Sequence, residues 1–417
     1  MENNAEITKN NLEEKNFKNK NGLRLNNYKI LFILRTLKNI ISNFVDSFFV
    51  LYFLDVSDSN ILPLGIYKLV AIIAIYSVIF LTRNFSKSKH RANLMRIGIV
   101  LDFVYFLAII LLKDKIVNYI YLVGLLYGLE EGFYFSVYNI IESDGITNEE
   151  RAKFAGTYTA MESILSIIFP LIFGSLIYTT GFLQSLVVVF ILVTIRIILS
   201  FIYKDNNIPK SNKANMKEYL KLTKNDKRYK QMYKVEFLNG LVYSEAAFSY
   251  IVTIYIIKVF SNSFSLGIFT SIFSVITFII GILFAKLIKK EHYVSSIRIS
   301  MVFTILSLIL MIYNCNAVTI VLFNLFQTIS KKLKNLIIGN TQSNLSNDRK
   351  IQKEYKTEYW LANESSLVIG RIISSSIFIL IAYTDPTIMI IIFALFLILF
   401  TMSSVKLQKT IEEEEIR

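Results

Sequence analysis

The residues best able to do chemistry in this chain are ionisable side chains inside long apolar segments. Glu130 and Glu131 are adjacent, in a segment that also holds Tyr127, Tyr134 and Tyr138. Two neighbouring carboxylates in apolar surroundings cannot both ionise without a cation beside them, so at least one is expected to keep its proton. The pair is a candidate proton-coupling site, and an ion pair with a neighbouring helix is the alternative.

A stripe of polar residues in the first apolar segment is a second candidate. Arg35 and Asp46 are eleven residues apart, which returns to nearly the same face of a helix at about 100° per residue, and Asn39 lies between them. Charged groups inside a membrane segment are costly and turn toward water, protein or one another. The stripe predicts either the wall of a cavity or a packing seam between helices.

Composition shows what kind of protein must hold these charges. Hydrophobic residues make up 54% and charged residues 18% of the 417 residues, and the mean hydropathy is +0.50. The apolar residues form blocks close to twenty residues long, such as 94–112, 183–203 and 387–404. That length matches a bilayer core of about 30 Å, where only helices and closed barrels satisfy their backbone groups. We therefore predict an all-α integral membrane protein.

The alternation of apolar blocks and polar breaks predicts twelve transmembrane helices. Their predicted limits are 29–54, 61–82, 94–112, 117–139, 155–178, 183–203, 233–258, 264–288, 294–313, 317–340, 359–383 and 386–404. The long polar stretch between the sixth and seventh predicts a boundary between two bundles. The predicted domains are a tail at 1–28, a six-helix bundle at 29–203, a linker at 204–232, a second six-helix bundle at 233–404 and a tail at 405–417.

Basic residues lie in the connections on one side of the predicted helices. The formal net charge is +14, yet the connections 55–60, 179–182, 314–316 and 384–385 contain no Lys or Arg. By the positive-inside rule both termini are cytoplasmic, in the plasma membrane of a bacterial cell. On the opposite side only Lys113 and Lys115 stand out. Because the positive charge is distributed among loops that lie mainly on one side, we expect no nucleic-acid partner. With one cysteine and no cluster of metal-ligating residues, we expect no metal and no cofactor.

An internal repeat relates the two predicted bundles. A shift of 202 residues places Leu64-Gly65-Ile66 on Leu266-Gly267-Ile268 and Ala160-Met161-Glu162-Ser163 on Ala362-Asn363-Glu364-Ser365. Each half has an even number of helices, so the two copies are expected to share one orientation. The prediction is a pseudo-symmetric pair of six-helix bundles with its axis along the membrane normal.

Residues 127–181 resemble the fourth span, the following loop and the fifth span of major facilitator superfamily transporters. The matching features are the glycines of the fourth span, the sequence Glu150-Arg151-Ala152 before Gly156, and Pro170 with Gly174. In the family, parallel six-helix halves enclose a central cavity lined by the first, fourth, seventh and tenth helices. The loop at 82–96 departs from the family, since it keeps the basic residues but lacks the usual glycine and acid.

The resemblance implies how charges of the two halves would meet. The 202-residue shift places Lys332 on Glu130 and Glu245 on Asn43. Glu130 and Glu131 would then face Lys331 and Lys332 across the cavity, with Glu245 on the cavity wall. The alternative is that the tenth membrane span ends early, which would leave these lysines in the cytoplasm.

The resemblance also implies a cytoplasmic gate, because in this fold the second helix packs on the eleventh and the fifth on the eighth. Glu364 is expected to form an ion pair with Arg83 or Lys87. Arg371 lies on the same helix face as Glu364 and has no predicted partner, so it is expected to extend this network of ion pairs. Where the fifth helix packs on the eighth, Glu162 is expected to form an ion pair with Lys286, Lys289 or Lys290.

The function implied is secondary active transport by alternating access, with no enzyme activity. Embedded acids favour proton coupling, and an aromatic content of 14% suits a small amphipathic solute and efflux. The expected partners are that solute, protons and the lipid bilayer, with the protein as a monomer. A lipid or lipid-linked glycan flippase is the first alternative, and a non-transporting sensor or a polytopic membrane enzyme is the second.

Overall fold

The computed structural model describes residues 27, 29–83, 85, 90–145, 148–205, 215–243, 254, 256–257, 259–260, 262–313, 316–348, 351–381 and 386–416. Every regular element within these ranges is helical, as the sequence predicts. The helices are α1 (Lys29–Val56), α2 (Leu62–Thr82), α3 (Arg91–Leu112), α4 (Ile120–Gly145), α5 (Asn148–Thr180), α6 (Phe182–Ile202), α7 (Met216–Thr223), α8 (Lys227–Val242), α9 (Ser263–Leu287), α10 (Tyr293–Tyr313), α11 (Ala317–Ser346), α12 (Gln352–Leu380) and α13 (Pro386–Ile416).

The helices confirm a multi-pass membrane architecture. Among the described residues, eight helical stretches have the length and hydropathy of a membrane span. One of them, Arg91–Tyr138, runs through α3, a 3₁₀ turn at Lys113–Tyr119 and α4. The count of twelve spans stays a prediction, since α8 has 16 residues and α11 and α12 carry many polar residues.

Several helices extend beyond the predicted apolar limits. Hydropathy predicts only the part of a helix that lies in the bilayer, whereas capping and helix-forming residues decide where the helix itself begins and ends. α8 begins at Lys227, where the Asp226 side chain accepts a hydrogen bond from the Arg228 backbone amide. The predicted tail 405–417 is helical as far as Ile416, and Leu407 within it is fully buried. The polar end of α13 is therefore part of the packed molecule.

The predicted linker contains α7, which is attached to the second half. The backbone amide of Asn215 donates to Glu358 Oε1 at 2.8 Å, and the hydroxyl groups of Tyr219 and Tyr233 share a short hydrogen bond. Beside this helix Arg228 bridges Asp226 at 2.8 Å and Asp348 at 2.9 Å. The hydrogen bonds to Asp226 raise the pKa of Arg228, so this contact stays charged at physiological pH.

Helix contacts are alike in the two halves. In the first half α4 packs on α2 and α3, and α3 packs on α6. In the second half α11 packs on α9 and α10, and α10 packs on α13. Between the halves α2 packs on α12 and α5 on α9, which are the contacts that the sequence resemblance implied.

Glycines set the closest approach between the halves. A Cβ at Gly174 of α5 would lie 2.6 Å from the Ser263 carbonyl oxygen, and one at Gly267 of α9 would lie 2.5 Å from the Pro170 carbonyl oxygen. A Cβ at Gly65 of α2 would lie 2.8 Å from Ile379 Cγ1. These contacts mark one end of the bundle, called the far end. The opposite end, called the basic end, holds Arg83, Arg91 and Arg228.

We predict that Gly267→Ala weakens the contact between α5 and α9. The added methyl group has no room against Pro170, and overpacking of this kind typically costs about 1–3 kcal/mol in the free energy of unfolding. The thermal unfolding midpoint of the purified protein should fall.

Gly281→Ala on the same helix is the matched control, since nothing lies within 4 Å of its added Cβ. Its midpoint should stay level or rise slightly. Equal midpoints for the two variants would contradict the assigned contact.

Candidate functional site

A buried ion-pair cluster joins α1 to α4. The ammonium of Lys38 forms a short salt bridge with Glu130 and a second with Glu131 at 2.8 Å. Lys38 is 5% exposed, Glu130 1% and Glu131 9%. These three residues are called the α1–α4 cluster. The alternative left open by the sequence, an ion pair with a neighbouring helix, is what the structure shows.

The charge balance of the α1–α4 cluster favours binding of one proton. With all three groups ionised, two carboxylates share one ammonium and the cluster carries a net negative charge away from water. One additional proton makes it neutral, and low-dielectric surroundings penalise the charged state. Glu130 Oε2 has no hydrogen-bond partner among the described residues, so it is a free position for that proton.

A second buried ion pair lies beside the first. Arg196 of α6 forms a short salt bridge with Asp102 of α3, and its guanidinium lies 4.9 Å from the Tyr134 ring centroid. Both charges interact electrostatically with Lys38 and Glu130. Sequence analysis missed Asp102, Arg196 and the pairing role of Lys38. The available signal was the presence of single ionisable residues in otherwise apolar segments, which are functional candidates by default.

The polar stripe of α1 faces α5. Asn39 Nδ2 donates to Glu162 Oε1 at 3.0 Å, and the Arg35 guanidinium lies 3.8 Å from the Tyr158 ring centroid. The predicted partners of Glu162 on α9 are therefore wrong, because Glu162 turns inward to α1. Asp46 lies in a π-helical stretch, Val45–Phe49, and is exposed.

The other predicted gate residues also have different partners. Arg371 Nη1 lies 3.2 Å from Glu364 Oε1 on the same helix, so Arg371 is not the unpaired cation expected from the sequence. The guanidinium of Arg83 lies 4.1 Å from the Phe80 ring centroid. Lys87, the other expected partner of Glu364, lies outside the described residues.

The predicted pairing of α4 acids with α11 lysines is wrong, because Lys38 of the same half occupies both carboxylates. Lys331 and Lys332 are exposed on α11, and Lys331 Nζ lies 5.1 Å from the Tyr243 ring centroid. The helix itself continues past these lysines to Ser346. Glu245 falls outside the described residues.

The second half contains a polar cavity of about 340 Å³ between α8, α11, α12 and α13. It lies toward the basic end of these helices. The lining residues are Glu236, Asn239, Asn335, Ile338, Gly339, Gln342, Trp360, Asn363, Glu364, Leu367, Arg371 and Phe400. No group of His, Cys, Asp and Glu suited to a metal ion occurs among the described residues.

Comparison with protein families decides the class of this molecule. The family model described as Major Facilitator Superfamily matches residues 69–330, more than half of the chain. The chain belongs to the Major Facilitator Superfamily. As a member of this superfamily it is a multi-pass membrane protein and a secondary transporter rather than an enzyme.

Individual relatives are distant in sequence and similar in fold. The chain is 20% identical over 337 residues to "Uncharacterized protein YqgE" of Bacillus subtilis (strain 168), covering 80% of this chain and 77% of that protein. A crystal structure of the nucleoside transporter NupG matches with a TM-score of 0.65 and 14% identity, over 92% of this chain and 98% of the other. A crystal structure of a bacterial homologue of the iron transporter ferroportin, in the inward-facing state, matches with a TM-score of 0.61 and 14% identity. The match covers 90% of this chain and 99% of the other. These structures show a shared fold.

We predict that Arg196→Met strongly destabilises the protein, because it leaves Asp102 charged and buried without its cation. Breaking a buried ion pair from one side costs about 3–5 kcal/mol, whereas replacing both partners with apolar groups is often neutral. The double variant Asp102→Leu, Arg196→Met should therefore recover most of the lost stability. The thermal unfolding midpoint of the purified variants is the measurement, and a double variant as unstable as the single one would contradict the pairing.

Proposed function

We propose that this chain is a proton-coupled transporter of a small amphipathic solute that works by alternating access. The observation that carries the proposal is the α1–α4 cluster, in which two buried acids share one lysine. Such a cluster gains a proton when the surrounding dielectric is low and releases it when water or another cation reaches the acids. It therefore couples proton binding to a change in the surroundings of α1 and α4.

The proposed coupling step uses the position of Lys38 between two acceptors. When Glu130 holds a proton, Lys38 pairs with Glu131 and the cluster is neutral. When that proton leaves, Lys38 is shared by both carboxylates and the cluster carries a charge that favours contact with water. An equilibrium between two conformations shifts toward the one that stabilises the prevailing charge state. Movement of α1 relative to α4 then follows proton occupancy.

We further propose twelve spans in two pseudo-symmetric halves, 29–203 and 233–404, in the plasma membrane as a monomer. The matching helix contacts of the two halves support this topology. The basic end is cytoplasmic by the positive-inside rule, so both termini are cytoplasmic. Close glycine contacts at the far end then correspond to a transporter closed to the outside. The cavity of the second half then lies toward the cytoplasm, and the high aromatic content of 14% is the feature that favours efflux of an amphipathic solute.

We predict that Glu130→Gln combined with Glu131→Gln, in a Lys38→Met background that leaves no buried cation unpaired, uncouples transport from protons, because none of the three side chains then holds a titratable proton. The protein is reconstituted into proteoliposomes with an internal pH dye and screened with amphipathic cations, sugars and lipids. For the compound that moves protons, the triple variant should lose at least about tenfold in proton-driven accumulation, equivalent to about 1.4 kcal/mol. Exchange of that compound between the two sides, which needs no net proton movement, should persist.

Asp114→Asn is the matched control, because this carboxylate is exposed in the turn between α3 and α4. It should leave proton-driven accumulation unchanged. Wild-type accumulation in the triple variant would show that the α1–α4 cluster does not couple protons.

A further inference from the structure

The cavity between α8, α11, α12 and α13 lies entirely within the second half, apart from the α1–α4 cluster. Its volume of about 340 Å³ is within the range of about 300–1,000 Å³ typical of small-molecule pockets. Its lining combines carboxylates, amides and aromatic rings. The unpartnered polar groups among them indicate what it binds.

Glu236 is a buried acid without a cationic partner in the described part of the chain. Its side chain is 4% exposed, and Asn239 Nδ2 donates to Glu236 Oε2 at 3.2 Å. A single amide donor does not replace the hydration that a carboxylate loses on burial, and buried charges are normally paired. Glu236 faces the cavity, so a cation within the cavity is the missing partner.

The remaining charges of the cavity form no ion pair with Glu236, and Arg371 acts on it only at longer range. Glu364 and Arg371 pair with each other at 3.2 Å on α12 and are neutral together. With Glu236 ionised, the lining carries one net negative charge. The complementary ligand carries one positive charge.

Asn363 supplies an independent sign of a missing ligand. It is 2% exposed, and neither its Nδ2 nor its Oδ1 makes a hydrogen bond with the described residues. Buried polar groups are nearly always hydrogen-bonded, and Asn363 lines the cavity, so this amide gains a partner if its side chain turns toward a ligand there. A ligand hydroxyl or amide can both donate to and accept from this side chain.

Apolar groups complete the lining. Trp360 of α12 and Phe400 of α13 contribute aromatic rings, and Ile338 and Leu367 contribute aliphatic surface. Aromatic rings interact favourably with cations as well as with apolar groups. The cavity therefore suits a ligand with an apolar body, a positive charge and one neutral polar group.

We propose that this cavity binds the transported solute and that the solute is an amphipathic amine. Its ammonium pairs with Glu236, its polar group bonds to Asn363, and its apolar body lies against Trp360 and Phe400. This assignment rests on the proposed function, since it names the substrate class of the same transporter. Binding at the cavity needs no proton gradient, so it is tested separately from coupling.

Trp360 is the only tryptophan of the chain, so its emission reports directly on the cavity. The probe is 2-amino-1-phenylethanol, which has an ammonium, a hydroxyl group and a phenyl ring. Mandelate, with a carboxylate in place of the aminomethyl group, is the matched anion. We expect a saturable change of Trp360 emission with the amine and none with mandelate in purified protein.

Glu236→Gln should weaken amine binding about tenfold or more, as expected for loss of a charge-assisted contact, and Asn363→Leu should weaken it by a smaller factor. Glu412→Gln changes an exposed acid at the end of α13 and should bind as the wild type does. Equal response to mandelate, no saturable change with the amine, or unchanged affinity in Glu236→Gln would each overturn the proposal.

The α1–α4 cluster separates this proposal from the proposed function. The Glu130→Gln, Glu131→Gln variant, in the same Lys38→Met background, should still bind the amine, because its changes lie outside the cavity and leave no buried charge unpaired. Amine binding without proton coupling would support the cavity and reject the coupling mechanism. Proton-coupled transport of another solute, without amine binding, would reject the amine site alone.

Discussion

The pairing of buried charge is the constraint on which the rest of this structure depends. An ion moved from water into a protein interior loses several kcal/mol of solvation even after relaxation, and only a close counter-ion or hydrogen bonds offset that loss. In the first half this requirement ties α1 to α4 through Lys38 and α3 to α6 through Asp102 and Arg196. These ion pairs fix the contact of α1 with α4 and that of α3 with α6, which apolar packing in a membrane alone does not specify.

Close packing allows these pairs to form. A Cβ at Gly98 of α3 would lie 3.0 Å from the carbonyl oxygen of Glu130, so the glycine brings α3 against the stretch of α4 that carries the acid. On the other side of α4, a Cβ at Gly124 would lie 2.6 Å from the carbonyl oxygen of Tyr67 on α2. Small residues at membrane helix contacts allow such close approach. The glycines allow the helix axes to come close together, and the ion pairs decide which helices contact each other.

The two halves use similar helix contacts for different chemistry. The 202-residue shift places Asp102 on Thr304, so an acid in the first half corresponds to a hydroxyl in the second. There the fully buried Lys334 donates to Thr304 Oγ1 at 3.4 Å and Thr401 Oγ1 at 3.3 Å. In the first half each buried acid of these clusters contacts a cation of the same half, whereas in the second half Glu236 faces a cavity.

The sequence by itself determined the helical membrane class, the positions of most apolar segments and the presence of Glu130 and Glu131 within one of them, because hydropathy and charge are local properties of the chain. Only the tertiary structure decided that Lys38 is their partner, that Glu162 turns to Asn39 and that Glu364 pairs with Arg371. Periodicity places a side chain on a helix face, but the rotation and approach of neighbouring helices decide what that face meets. For the same reason no linear pattern could show that Glu236 and Asn363, from α8 and α12, line one cavity.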